Sequence, residues 1–529
     1  MTIRLSVPAL RGVATIDVET RPKQVKEWLD GLPMANGLEA ARKLTDALVA
    51  TRGAKLGEEA RFKLLDQYRH TVRVLLPSLE QEYAGKPLPL GDKAKQAASL
   101  ARELLTELSH GYKMVVLELS QRKPGANKLA PSAVQRAIEC LGEILDICYE
   151  IYAPMPAGIW LELHQLYWYA VRQNVHEEKF PDDAGSGSVN ASYKRVLLTA
   201  LADPYRLQQG QLSGLKSYLA GAADLAMLQP LSEAENTHGL FVLRLDGDKP
   251  PKALSQHSGV TDGRTDILLN TIPFVRQLHQ QLQEVEAGKA PRAAGLSDIA
   301  GQAAYRELLK RLIKQWGLGP KRLFNRVPAD TTTFICAGIR SLHHALAGGG
   351  DDSFTPQEVD ENEVQITVQM ATPADQTGQH TTYNCSSWQV VNESAGGVAL
   401  TMDPHSVGKV RVGDLIGLGA GGGYPWGVAV VRWIQADMPG RIDLGAQFLS
   451  PRAEPVAIKP TITAEDVPFQ PALLLPEVPA LKQPDRIVAA RGSFQAQREF
   501  ELRCQGASRL VRATRLLEQT DSFEVFLFS

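Results

Sequence analysis

Apolar positions recur every three or four residues through roughly the first 230 positions of the chain. In ARFKLLDQYRHTVRVLLPSLEQEY, Leu65, Tyr68, Val72, Leu75 and Leu79 form one stripe. In KAKQAASLARELLTELSHGYKM, Leu100, Leu104, Leu108 and Tyr112 form another. That spacing places each set on one face of a helix. Beyond KPGANKLAP the habit returns in SAVQRAIECLGEILDICYEIY and GIWLELHQLYWYAVRQ, with APMPAG as the turn between them, and PDDAGSGSVNAS (181–192) reads as a loop. No fixed 34-residue period emerges, so a helical repeat array is unsupported. Between 238 and 288 the character changes: GLFVLRLD and TDILLNT predict short strands and IPFVRQLHQQLQEVEAG a helix. AAYRELLKRLIKQW, 303–316, then predicts a basic amphipathic helix.

From about 320 onward the pattern is that of strands: TTTFICAGI, VQITVQM, SSWQVV, GGVALTM, KVRVGDLIGL, WGVAVVRWI and RIDLGAQFL. A Pro-rich stretch, EPVAIKPTITAEDVPFQPALLLPEVPALKQP, precedes further strands in FELRCQG, RLVRATRLLEQ and SFEVFLF. Many short strands at such spacing predict barrels rather than a parallel sheet. The expected fold is therefore multidomain α and β. An all-α helical region spans 1–237 and a small mixed α/β unit spans 238–300. The basic helix, a lead-in segment and an antiparallel β-barrel occupy 301–455, and a smaller β module 456–529. A chain of 529 residues is too long for one hydrophobic core.

A net charge of −2 argues against a whole-protein DNA or RNA binder, which would carry a basic surplus. The five cysteines (Cys140, Cys148, Cys336, Cys385 and Cys504) are odd in number and form no CxxC pair. They read as reduced thiols, neither a disulfide frame nor a zinc site. The N-terminal stretch MTIRLSVPALRGVATIDV lacks the long apolar core of a signal peptide. The most apolar region is interrupted by Glu162 and His164, so no membrane span is expected. The expectation is a cytoplasmic protein.

Several motifs are weaker than they look. GLGAGGGYPWG contains a GxGxxG at Gly417, Gly419 and Gly422, but it joins two predicted strands. A dinucleotide fingerprint needs a following helix to hold the pyrophosphate, so a hairpin tip is expected instead. His343 and His344 have no carboxylate or cysteine at ligand spacing, so no metal is expected. Ser394 lacks a GxSxG frame, and neither HExxH nor a Walker lysine occurs. No catalytic residue, cofactor or enzymatic activity is expected. The acidic run DDSFTPQEVDENE, 351–363, reads as a solvated loop.

Two stretches carry more. PKRLFNRVPAD sets Arg322 and Arg326 four apart, just before the first strand. They are either surface arginines or an anion site, since a guanidinium offers a planar fork to phosphate and matches O6 and N7 of guanine. VVNESAGGVAL, 390–400, reads as two apolar strands broken by a polar knuckle. Asn392 and Ser394, two apart, would share one face of extended chain, and Gly396 and Gly397 remove side chains where something could approach the backbone. This is an ordinary turn or half of a ligand site.

An RxxxR before the first strand of a small barrel, followed by (D/N)xSxxG across a strand turn, resembles the PilZ family of bacterial cyclic di-GMP receptors. Here these are Arg322 and Arg326 in RLFNR, then Asn392, Ser394 and Gly397 in NESAGG. RVPADTTTFI, VRVGDLIGL and VAVVRWI…RIDLGAQFL are similar to the family's opening strand, middle strand and closing hairpin. The resemblance implies a PilZ-like barrel, cyclic di-GMP as ligand and those five residues as its contacts. It covers about a quarter of the chain. Arg326 and Asn392 are 66 positions apart (326 to 392), further than is usual in the family, and the excess reads as a helix and loop inserted in the barrel. The expected function is a cyclic di-GMP effector that passes the signal to a protein partner through its helical region. The competing reading is a scaffold whose barrel has lost its ligand.

Overall fold

The computed structural model describes residues 3–8, 19–121, 128–182, 185–231, 237–257, 262–318, 325–347, 385–402, 408–419, 426–437, 440–462, 467–479 and 482–529. The chain divides into two compact units. One comprises 1–86, 90–204 and 209–321, the other 87–89, 205–208 and 322–529.

The first unit is built on the predicted stripes. Leu65, Tyr68, Val72, Leu75 and Leu79 are all buried along helix Glu58–Tyr83, and Leu100, Leu104, Leu108 and Tyr112 along Asp92–Ser120. Gly111 lets these two helices approach, since a methyl group there would collide with the side chain of Leu65. An antiparallel four-stranded sheet, in the order Met227–Pro230, Asp266–Asn270, Leu240–Arg244, Lys252–Ala253, joins the same unit. Asp248 from this part caps helix Ile159–Arg172, accepting from the backbone N–H of Gly158, Trp160 and Leu161 at 2.6, 3.1 and 3.2 Å. Those N–H groups have no partner inside a helix, so the carboxylate ties the sheet to the helices.

The basic helix extends over Ala303–Leu318 and sits differently from the expected grouping. Its stripe of Tyr305, Leu308, Leu309, Leu312 and Trp316 is buried within the first unit, not with the barrel. Trp316 donates its indole N–H to the Leu198 carbonyl at 3.0 Å and meets Phe274 edge-on at 4.8 Å. A fully buried tryptophan fixes which body the helix joins.

The second unit holds two closed six-stranded antiparallel barrels. The first runs Leu415–Gly419, Gly427–Ala436, Ile442–Ser450, Gly397–Met402, Cys385–Ser394, Val327–Ala337 and closes on itself. The second runs Glu454–Pro460, Gln470–Leu475, Arg486–Ala490, Phe523–Phe528, Ala507–Gln519, Glu499–Cys504. Two strands of the second barrel lie inside the Pro-rich stretch. They survive because Pro455, Pro460 and Pro471 stand at or next to strand ends, where a missing N–H costs least. VQITVQM lies outside the described residues.

The interior of the second barrel is formed by Val456, Ile458, Leu474, Ile487, Phe500 and Phe526 with their neighbours. The alternate residues Leu473, Leu475, Val488 and Val525 belong to a separate core with Phe523, with Leu415, Val428 and Val430 of the first barrel, and with Ile339 and Leu342. Successive strand residues point to opposite faces, so these strands are covered on both. Helix Ile339–Leu346, the inserted SLHHAL segment, is wedged into this shared core, with His343 buried. Among the described residues no helix is long and apolar enough to cross a membrane, and no cluster of metal-ligating side chains occurs.

Candidate functional site

The strand Cys385–Ser394 does not stop at the polar knuckle. It runs through Asn392, Glu393 and Ser394, then turns in the two residues Ala395 and Gly396, so that Ser394 faces Gly397. The Ser394 hydroxyl donates to the Gly397 carbonyl at 3.1 Å, closing the hairpin. A β-bulge between Val390 and Asn392 leaves Val391 exposed and re-aims the residues that follow. Trp388 and Val390 are buried, whereas Asn392 and Ser394 are only half-buried.

The same pairing brings the arginine segment to the hairpin. Arg326, exposed, immediately precedes strand Val327–Ala337. In that strand Val327 stands opposite Glu393 and Pro328 opposite Asn392. Arg326 therefore lies at the Ser394 end of the neighbouring strand despite the long insertion. The insertion leaves the barrel intact because the two strands re-pair below it, with Cys336 opposite Cys385. Arg322 and the acidic run 351–363 lie outside the described residues.

Gly397 has a different physical reason from the expected one. A methyl group on it would collide with the backbone carbonyl of Ala446 on strand Ile442–Ser450. Close approach of that strand is by itself enough to require the absent side chain. Gly417 and Gly419 are likewise occupied from within: added side chains would meet Leu342 and Trp426 at the first and Trp426 at the second. The GxGxxG thus joins strand Leu415–Gly419 to strand Gly427–Ala436, and Gly422 lies outside the described residues.

Family models cover nearly the whole chain. One for the middle PilZ domain of the cyclic-di-GMP receptor FimW matches residues 240–364 and 351–455. Those for the N-terminal domain of that receptor and its C-terminal β-barrel domain match 23–233 and 456–529. The chain contains a PilZ domain, within residues 240–455. It is 27% identical over 576 residues to the cyclic-di-GMP receptor FimW of Pseudomonas aeruginosa, across 99% of this chain and 93% of that one.

The outer face of the PilZ barrel adds residues that motif reading missed. Asn392 stands opposite Ala399, Ala399 opposite Gly445, and Gly445 opposite Trp433. These four form one lateral row across four strands. Only small residues separate the signature asparagine from an indole, and the ring of Trp433 lies directly over Gly445. One row further, Ser394 faces Gly397 and Gly397 faces Gln447, which accepts from Nε of Arg432 at 2.8 Å. Mid-strand glycine in RIDLGAQFL was the signal for the tryptophan, since such a glycine marks a close neighbour. The PilZ face therefore combines guanidinium, amide, hydroxyl and aromatic groups, a set suited to an anionic heteroaromatic ligand.

Proposed function

We propose that this protein is a cyclic di-GMP receptor whose PilZ barrel binds the nucleotide through Arg322, Arg326, Asn392, Ser394 and Gly397. The observation that carries this is the register placing Arg326 beside Asn392 and Ser394 on the outer face of a PilZ barrel. The arginines would hold phosphate and the guanine edge, and Asn392 and Ser394 would hydrogen-bond the ligand. Gly397 would shape the hairpin around the ligand rather than admit it. Trp433 offers a stacking surface in the Asn392 row. The relative's name as a cyclic-di-GMP receptor supports the reading.

On this reading the protein is a signalling receptor without cofactor or catalysis, acts in the cytoplasm, and engages a protein partner through its helical region, 1–237. Calorimetric titration with cyclic di-GMP, GTP and cyclic di-AMP tests the receptor reading. Selective binding of cyclic di-GMP is expected, because adenine presents a donor where guanine presents an acceptor. Equal affinity for cyclic di-AMP would end the guanine-edge assignment. Slowed amide exchange at 316–328 and in the helical region on adding ligand is the expected mark of transmission. A barrel without ligand is the second reading. One observation favours it: Ala446 already occupies the space that Gly397 leaves.

A further inference from the structure

Among the polar ties between the PilZ barrel and the C-terminal barrel, which include Arg486 donating to the Leu449 carbonyl and Ser522 to that of Gly413, one is an ion pair. Arg432 donates from Nη1 and Nη2 to the two carboxylate oxygens of Glu518 at 2.5 and 2.9 Å. Its Nε donates to Gln447, so the whole guanidinium fork is engaged. Both ends of the tie stand at bulges. The register shifts between Val431 and Trp433 on one strand, and between Leu516 and Glu518 on the other. Bulges re-aim single side chains, and here two of them aim an arginine and a glutamate at each other.

The tie begins at the candidate site. Gln447 stands directly opposite Gly397 of the signature hairpin. Arg432 itself is the residue next to Trp433, whose indole occupies the Asn392 row. The side chains of Arg432 and Glu518 remain 34% and 23% exposed, so solvent and solutes reach the pair. Solvent access screens such a pair more than a sealed one. The barrels are held by the apolar core of Leu473, Val488, Phe523, Val428 and Val430, which does not depend on it. Glu518 can therefore be displaced without separating the barrels.

We propose that Arg432 is a further contact residue of the nucleotide site, and that Glu518 of the C-terminal barrel competes with the ligand's phosphate for its guanidinium. The inference rests on the receptor reading. Carboxylate and phosphate present the same bidentate acceptor geometry to arginine, so one excludes the other. Linkage is reciprocal: a carboxylate that weakens ligand binding is itself released by the ligand. Occupancy of the PilZ face is thereby reported on strand Ala507–Gln519 of the second barrel.

The test is calorimetry on the full chain with cyclic di-GMP at fixed salt. Glu518→Gln is expected to tighten binding about three- to tenfold, and Arg432→Ala to weaken it about ten- to a hundredfold. In the Arg432→Ala background, Glu518→Gln is expected to change nothing, because the competition has no object left. Wild-type protein that binds while Glu518→Gln stays within about twofold of it, or an effect of Glu518→Gln that persists without Arg432, overturns the inference and leaves the receptor reading standing. Wild-type protein that binds no cyclic di-GMP overturns both. Should Arg432→Ala fail to fold, exchange at residues 512–519 of the wild type decides: it speeds up with ligand if the tie is released, and unchanged or slower exchange overturns the competition.

Discussion

Pro328 and Asn392 stand opposite each other on adjacent antiparallel strands although a long insertion separates them in sequence. That one pairing converts two weak sequence motifs into one surface. It sets Arg326 next to the hairpin and gives Arg326, Asn392 and Gly397 separate expected effects.

Arg326 is exposed and precedes its strand, so its loss should leave the fold alone. Arg326→Ala is expected to shift stability by no more than about 0.5 kcal/mol. Loss of a charge-assisted contact should cost roughly 1.5–3 kcal/mol of binding. Chemical denaturation and calorimetry with cyclic di-GMP check the two halves, and full retention of affinity would remove Arg326 from the site.

Asn392 and His343 should separate site from scaffold. Asn392→Ala is expected to weaken nucleotide binding by about tenfold through a lost hydrogen bond. His343 is buried on the helix wedged between the barrels. His343→Ala should lower the denaturation midpoint yet leave affinity within about twofold. A reversal of these two outcomes would move the ligand to the inserted helix.

Gly397→Ala should act through the fold. The added methyl would strike the Ala446 carbonyl, and backbone on both sides gives little room. Overpacking of this kind costs roughly 1–3 kcal/mol. The expected outcome is a destabilised barrel by urea denaturation, with reduced affinity following from it. Undiminished stability together with lost binding would instead return Gly397 to direct ligand contact.

His164 gives the first unit an acid-sensitive point. Its Nε2 meets the Lys249 carbonyl at 2.9 Å and its Nδ1 the Tyr193 hydroxyl at 2.6 Å. A carbonyl only accepts, so Nε2 carries the hydrogen and the tyrosine donates to Nδ1. Burial pushes the imidazole down from 6.5 to about 4. Between those values the unfolded chain takes up a proton that the folded one refuses. Stability is then full above pH 6.5, falls as pH drops towards 4, and loses about 3 kcal/mol over the window. Glu150, raised by burial to about 7, works with the opposite sign. The measurement is therefore the difference between wild type and His164→Asn, denatured at about pH 7 and about pH 4.5. The gap should shrink in acid, and a constant gap would contradict the assignment.

What could be read without coordinates followed from local period. The stripes of Leu65 to Leu79 and Leu100 to Tyr112, and the order of strands around NESAGG, depend on neighbours within a turn or a pleat. What could not be read depends on register between distant strands. Gly397 answers to Ala446, Trp433 to Gly445 and Arg432 to Glu518, and no spacing along the chain encodes those partners. Trp316 is a similar case, since only its contact with Phe274 decides which unit holds its helix. The Pro-rich stretch misled for a different reason: proline counts say nothing of whether each falls at a strand end.

The core shared by the two barrels also sets an order of events during synthesis. Leu415, Val428 and Val430 emerge from the ribosome well before Phe523 and Val525, which cover them. Until strand Phe523–Phe528 arrives, the outer wall of the PilZ barrel presents an uncovered apolar patch beside the inserted helix. A stop codon near 455 would leave that patch permanently bare. Such a fragment should bind chaperones and aggregate, so the PilZ barrel is a poor candidate for expression on its own.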